Sequence, residues 1–316
     1  MKDKTDIARM RNRQRLLANI LARRQLYLLL LVPLAYLLIF AYGPMGGLVI
    51  AFKRYSFALG IFKSPWAGLT NFRRFFESYR FVQVLTNTLT LSFYSLLVTF
   101  PIPILFALLL NSMPIKNYQK VIQTVTYIPY FISTVVMVGL IFQVLNNRNG
   151  LYGALFLYLT RVMPPDILAV GTNFKHVYVW SAVWQQTGYA SIIYFAALSN
   201  VDPTLHEAAL VDGATRFQRV LYVDVPCILP TASIMLILAV GGLMNVAFEK
   251  TLLMQNSLNI NFSEVISTYV YKVGLASGIN DFSLSAAIGM FNSVINFFLL
   301  VVANWGSKKL NGSGIF

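Results

Sequence analysis

The chain has 316 residues, 57% of them hydrophobic and 11% charged, with a mean hydropathy of +0.64. That balance excludes a soluble domain and predicts an all-α integral membrane protein, because unpaired backbone is costly in lipid and apolar runs of spanning length fold as helices. The net charge of +14 does not indicate nucleic acid, since the basic residues sit in a tail and in loops rather than on a soluble face.

Six windows contain no Asp, Glu, Lys or Arg: 25–52, 81–115, 121–147, 176–201, 225–248 and 282–307. Each holds the roughly 20 apolar residues that cross a hydrocarbon core about 30 Å thick, so about six transmembrane helices are expected. Residues 1–24 are a basic segment with eight of the 25 Lys and Arg. Leu16, Leu17, Ile20 and Leu21 recur there at helical spacing and predict an amphipathic surface helix, with a solvated tail as the plain alternative. Positive charge before the first span places the N-terminus in the cytoplasm. An even number of spans then puts the tail 306–316, with Lys308 and Lys309, and the loop around Glu207 on the same side. Lys53, Arg54, Lys63, Arg73, Arg74 and Arg80 dissent, because this orientation leaves them outside.

The first apolar run is too long for a signal-peptide core and lacks a small-residue cleavage site, so it is expected to stay as a span. It covers about 26–50, contains Pro33 and is expected to end near Tyr42-Gly43-Pro44. Residues 25–80 thus comprise this span and an outer interfacial segment, where Trp66, Phe72, Phe75 and Phe76 alternate with Arg73 and Arg74. The second span (about 87–110) carries Pro101 and Pro103 and the third (about 121–145) carries Pro129. These prolines predict kinks whose freed carbonyls need partners. Residues 147–150 read as a turn, and Leu151 to Leu159 as an outer interfacial helix, the alternative being a seventh span that reverses the C-terminus. The fourth span (about 176–199) is the most polar, with Trp180, Trp184, Gln185, Gln186, Thr187 and Tyr189. His176 reads as an anchor at its entrance. The fifth (about 231–248) has Asn245 and ends at Glu249, expected at the outer interface; the sixth (about 283–305) has Asn292 and Asn296. Two readings of these amides stand side by side. They join helices by hydrogen bonds, or they line a sugar pathway in which Trp and Tyr stack on rings and Gln and Asn meet hydroxyls.

Between the fourth and fifth spans lies the one polar segment with a recognisable spacing. Glu207-Ala208-Ala209 is followed after three residues by Gly213 and, nine residues later, by Val223-Asp224-Val225-Pro226. Local chemistry predicts a short helix, a break at Gly213 and a second helix from Ala214 to Leu221. Asp202 as a cap before Pro203 competes with a capping box of Thr204 and Glu207. An ordinary loop capped for its own stability is the bland alternative.

This segment resembles the EAA signature of the permease subunits of ABC importers. Trp66-Ala67-Gly68-Leu69-Thr70-Asn71-Phe72 and Asp212-Gly213-Ala214-Thr215 with Phe217 are similar to the carbohydrate-uptake, maltose and multiple-sugar type, particularly its oligo- and polysaccharide branch. The resemblance implies a transport core over 81–305 with a cytoplasmic coupling loop at 202–226. It implies a second permease subunit, two cytoplasmic ATPase subunits, an extracellular solute-binding protein and a bacterial plasma-membrane location. Glu207, Ala208, Ala209, Asp212, Gly213, Ala214 and Phe217 would couple to the ATPase. Trp184, Gln185, Gln186, Tyr189 and Asn245 would line the sugar pathway, and alternating access would move it. Val223 and Val225 are mild departures from the family's Ile and Leu, while His206 and Asp224 would tune docking.

The chain carries no Gly-x-x-x-x-Gly-Lys-Ser/Thr loop, so ATP and Mg are expected on a partner, with no cofactor in this chain. It has no metal-binding His or Cys spacing and no nucleophile elbow, which points to a non-enzymatic subunit. Its single cysteine, Cys227, forms no intrachain disulfide. An ion-coupled secondary carrier is the alternative, and the lack of an obvious internal repeat counts against it; a scaffolding subunit is a third reading.

Overall fold

The computed structural model describes residues 22–276, 278 and 280–311. The surface helix expected around Leu16 to Leu21 lies outside the described residues. Among these there is no strand, and an antiparallel bridge joins Lys53 and Trp66. The chain divides into two units, Met1–Gly68 and Leu69–Phe316.

In the first unit, α1 (Arg24–Leu37) runs on through a π-turn (Leu38–Tyr42), a short turn (Gly43–Met45) and a 3₁₀ stretch (Gly46–Phe52). Tyr42-Gly43-Pro44 therefore does not end the span as expected. Pro44 enters in the first turn of a new segment, where its missing N–H costs little, and the widened π-turn precedes its ring. Past Phe52, Trp66 stacks on that ring at 5.9 Å.

The second unit begins with α2 (Thr70–Phe76), α3 (Tyr79–Thr99) and α4 (Pro101–Asn111). Ser78 caps α3 by accepting from the Arg80 N–H at 3.2 Å. Pro101 restarts the helix at its first position, so α3 and α4 form one run. Pro129 acts more sharply. The stretch expected as the third span is broken into α5 (Lys116–Tyr127), a 3₁₀ turn and α6 (Thr134–Val144), bent by 101°. The Ile132 carbonyl freed at that bend accepts from the Gln185 side chain at 2.9 Å. α7 (Leu151–Thr160) is an apolar helix of 10 residues, too short to span, closed by Arg161 at φ 59°.

α8 (Phe174–Ser199) leads to α9 (Pro203–Val211), α10 (Arg216–Arg219), a π-turn and α11 (Val225–Gly241). The fifth span was expected over 231–248, but the helical run is Arg216–Gly241. Capping at Thr215 starts it early, and Gly241-Gly242 ends it where a Cβ on Gly241 would strike the Leu300 side chain. Asn245 consequently lies in an irregular turn rather than in a helix. α12 (Phe248–Met254), α13 (Ile266–Tyr271) and α14 (Phe282–Asn311) complete the unit.

Among the described residues, four runs are long and apolar enough to cross a membrane: Arg24–Phe52, Tyr79–Asn111, Arg216–Gly241 and Phe282–Lys309. The bent pair α5–α6 makes a fifth if counted as one span. α8 is continuous over 26 residues, about 39 Å at ~1.5 Å per residue, but is too polar to meet the same standard. By length and apolar character, the expected six spans thus number four to five.

Among the described residues, three buried clusters hold the second unit. Leu91, Met137, Ile141, Tyr178, Val179 and Met254 join α3, α6, α8 and α12. Ala107, Leu108, Tyr194, Leu198, Ile228 and Ala232 join α4, the end of α8 and α11. Phe75, Val84, Met244, Ile266 and Ile288 join α2, α3, α13 and α14. In lipid such clusters gain from close packing and buried polar bonds rather than from water exclusion. Two such bonds fasten α13 and the residues just before it to α3: Thr88 accepts from the Ile266 N–H at 2.9 Å, and Asn87 donates to the Glu264 carbonyl at 3.1 Å.

Candidate functional site

The segment 202–226 is built as two capped turns on a packed base. Asp202 accepts from the Thr204 N–H at 2.9 Å, and that backbone donor holds its carboxyl below the usual carboxylate range. Among the hydrogen bonds of the described residues, this cap is made and the competing Thr204–Glu207 box is not. Glu207 is left exposed, as is Ala208. At the other end Gly213 takes φ +76°. Its N–H donates to the Leu210 carbonyl at 3.1 Å, and the Ala214 N–H donates to the Ala209 carbonyl at 2.9 Å. This is the paired closure that a left-handed residue allows after a helix.

The chain restarts at once. Thr215 accepts from the Gln218 N–H at 3.3 Å, and Gln218 accepts from the Thr215 N–H at 2.7 Å. Reading the sequence missed this capping box, although Thr-x-x-Gln after a glycine is a legible start signal. Phe217 is 75% exposed and Val211 89% exposed, so the loop offers apolar side chains among polar ones. His206 and Asp224 meet at 3.3 Å, with Asp224 buried, and tie α9 to the π-turn that leads into α11. A cleft of about 810 Å³ opens beside them, lined by Lys116, Gln119, Glu207, Arg216 and Arg219. The far end of the segment, at Val220 and Val225, packs against the core cluster shared by α4, α8 and α11.

The expected pathway residues separate into different settings. Gln186 and Asn245 line one polar pocket of about 230 Å³, with Ser92, Ser95, Thr99 and Lys250. Asn245 also accepts from Asn292 at 3.2 Å and Asn296 at 3.1 Å, while Asn296 accepts from the Met244 N–H at 2.9 Å. These amides thus tie α14 to the irregular segment that follows α11, and Asn245 reaches the pocket as well. Gln185 is engaged at the α5–α6 bend. Tyr189 stacks flat on Tyr130, centroids 3.7 Å apart, and lines an adjacent hollow of about 540 Å³. Trp184 lines an apolar hollow with Trp180 and Met137. His176 meets the Tyr94 hydroxyl at 3.0 Å, which suits an anchor.

The residue that sequence reading passed over is Lys250. It follows Glu249, which looked like the end of a span, yet Glu249 is exposed on α12 whereas Lys250 is buried. Its ammonium donates to the Tyr178 carbonyl at 2.9 Å and stands 4.7 Å from that ring's centroid. Burial lowers its pKa to about 8.

Comparison with known proteins gives consistent relatives. Residues 100–312 match the family model described as the binding-protein-dependent transport system inner membrane component. Protein LplB of Bacillus subtilis is 40% identical, over 92% of this chain and 91% of its own. The polygalacturonan/rhamnogalacturonan transport system permease protein YteP of the same organism is 38% identical, over 96% and 94%. A chain of a bacterial ABC transporter that imports the acidic polysaccharide alginate superposes with a TM-score of 0.86 at 36% identity, covering 94% of this chain and 99% of that one.

Proposed function

Since the chain belongs to the family of binding-protein-dependent transport system inner membrane components, we infer that it is the permease subunit of an ATP-driven importer of oligo- or polysaccharides, forming half of the pathway. A related importer structure holds a periplasmic protein bound to an alginate pentasaccharide, which supports an extracellular binding protein as a partner here. A second permease subunit and two cytoplasmic ATPase subunits complete the assembly, with ATP and Mg held by the latter. Both termini and the 202–226 loop face the cytoplasm.

The observation that carries this reading is the construction of the loop. An exposed Glu207-Ala208 face, closed at Gly213 and restarted at Thr215, runs directly into a helix of spanning length. A push on Glu207, Ala208, Ala209, Asp212, Gly213, Ala214 or Phe217 is then delivered to α11 and, through the shared core, to α8 and α4. Rocking of these helices opens the pathway first outward and then inward. Gln186 and Asn245 meet the sugar directly, with Tyr189 and Trp184 as neighbouring rings and Gln185 as the brace of the bend.

The test is co-purification with a candidate second permease and ATPase, followed by sugar-stimulated ATP hydrolysis in liposomes. Glu207→Ala and Gly213→Pro are expected to lose the stimulation. An intact chain that retains no ATPase, with both variants still transporting, returns the assignment to an ion-coupled carrier.

A further inference from the structure

The pocket shared by Gln186 and Asn245 has a feature that a neutral sugar does not require. Lys250 is 5% exposed and has three N–H donors, of which one meets the Tyr178 carbonyl and none, among the described residues, meets a carboxylate. In the same wall the Ser92 hydroxyl is buried with no hydrogen-bond partner among the described residues. A buried ammonium without a counter-charge and a buried hydroxyl without a partner each oppose folding, and groups kept so against that cost gather where a ligand completes them. The pocket's roughly 230 Å³ equals about eight water volumes at ~30 Å³ each, a space on the scale of one sugar ring. Hydroxyls alone are served by Gln186, Asn245 and Ser95; an ammonium selects a carboxylate, by a charge-assisted hydrogen bond.

Resting on the importer reading, we propose that Lys250, with Ser92, Gln186 and Asn245, forms a carboxylate subsite, and that the substrates of this permease are uronate-containing oligosaccharides. Lys250 pairs with the ring carboxylate as each sugar passes, and the Tyr178 carbonyl and ring hold the ammonium between passages.

The experiment uses the whole complex in detergent, measuring affinity for galacturonate and mannuronate trimers and for their methyl esters. The variants are Lys250→Gln and Lys250→Arg. Wild type is expected to prefer an acid form over its ester by about tenfold or more, the scale of one charged hydrogen bond. Lys250→Gln is expected to lose that preference while keeping its affinity for the ester, and Lys250→Arg to keep the preference. Equal affinity of wild type for acids and esters, absence of binding by all four included, overturns the proposal, as does equal loss of acid and ester binding in Lys250→Gln. The importer reading is scored separately by ATPase retention on the complex, which does not depend on the sugar used.

Discussion

Lys250 carries its charge in a place where pH has two opposite consequences. It lies outside the helices of spanning length, and burial lowers it to about 8 from an ordinary 10.5. The group that binds a carboxylate is the protonated one, whereas a uronic carboxyl, with a pKa of about 4 or below, stays ionised throughout. Affinity for a uronate trimer is therefore expected to be full near neutral pH and to fall as pH rises through about 8. Affinity for its methyl ester is expected to stay flat. The empty protein has the reverse dependence. Its folded-state pKa is below the ordinary value, so the unfolded chain binds more protons between about 8 and 10.5, and thermal stability rises with pH over that window. Its helix packs against α6, which carries no titratable group, and α13, which carries Tyr269 and Tyr271; Glu249 is on its own helix, α8 carries Lys175, His176, Tyr178, Tyr189 and Tyr194, and α3, which shares the pocket wall, carries Tyr79, Arg80 and Tyr94. Of these, Tyr178 alone lines the pocket with Lys250. Isothermal titration across this range reads both trimer and ester, and a flat trimer profile contradicts the assignment.

At the scale of elements, close approach decides which glycines matter. A Cβ on Gly188 of α8 would fall on the Thr126 backbone carbonyl of α5, whereas one on Gly139 of α6 meets nothing within 4 Å. Gly188→Ala is expected to destabilise the purified chain by about 1–3 kcal/mol, as overpacking does, and Gly139→Ala to be neutral or to add about 0.5–1 kcal/mol by helix propensity. Thermal midpoints in detergent of the two variants separate them, and a pair shifted equally contradicts the packing account. This contrast also marks how far the elements could be read from sequence. Pro129 announced its bend, and the need for a partner at the freed carbonyl followed from backbone chemistry; that Gln185 supplies it did not, because the bond spans 53 positions. The cap at Asp202 and the break at Gly213 were legible because their signals lie within a few residues. The end of α11 at Gly241, the pairing of Asn245 with Asn292 and Asn296, and the burial of Lys250 depend on α14 and α8 packing beside them. No local pattern carries that information.

For the whole molecule, the number of crossings decides which face the 202–226 loop presents. α8 must cross for the loop to share a side with the N-terminus, although its Gln185, Gln186 and Thr187 make it the least lipid-like of the long helices. Its polar side chains are tolerated if they face protein: Gln185 is bonded at the α5–α6 bend and Gln186 lines the pocket with Lys250. α7, by contrast, has 10 residues, about 15 Å of helix at ~1.5 Å per residue, half of what a crossing requires. A topology with α8 crossing and α7 lying at the outer surface makes a definite prediction for reporter fusions. Alkaline phosphatase, which is active only outside the cytoplasm, is expected to be active when joined after Asn149 and after Arg161, and inactive when joined after Val211 or after Asn311. Activity after Val211 places the docking loop outside, where no ATPase reaches it, and the coupling role of Glu207 fails with it. Activity after Arg161 together with inactivity after Val211 fixes α8 as a membrane crossing, despite a composition that by itself resembles a buried helix of a soluble protein.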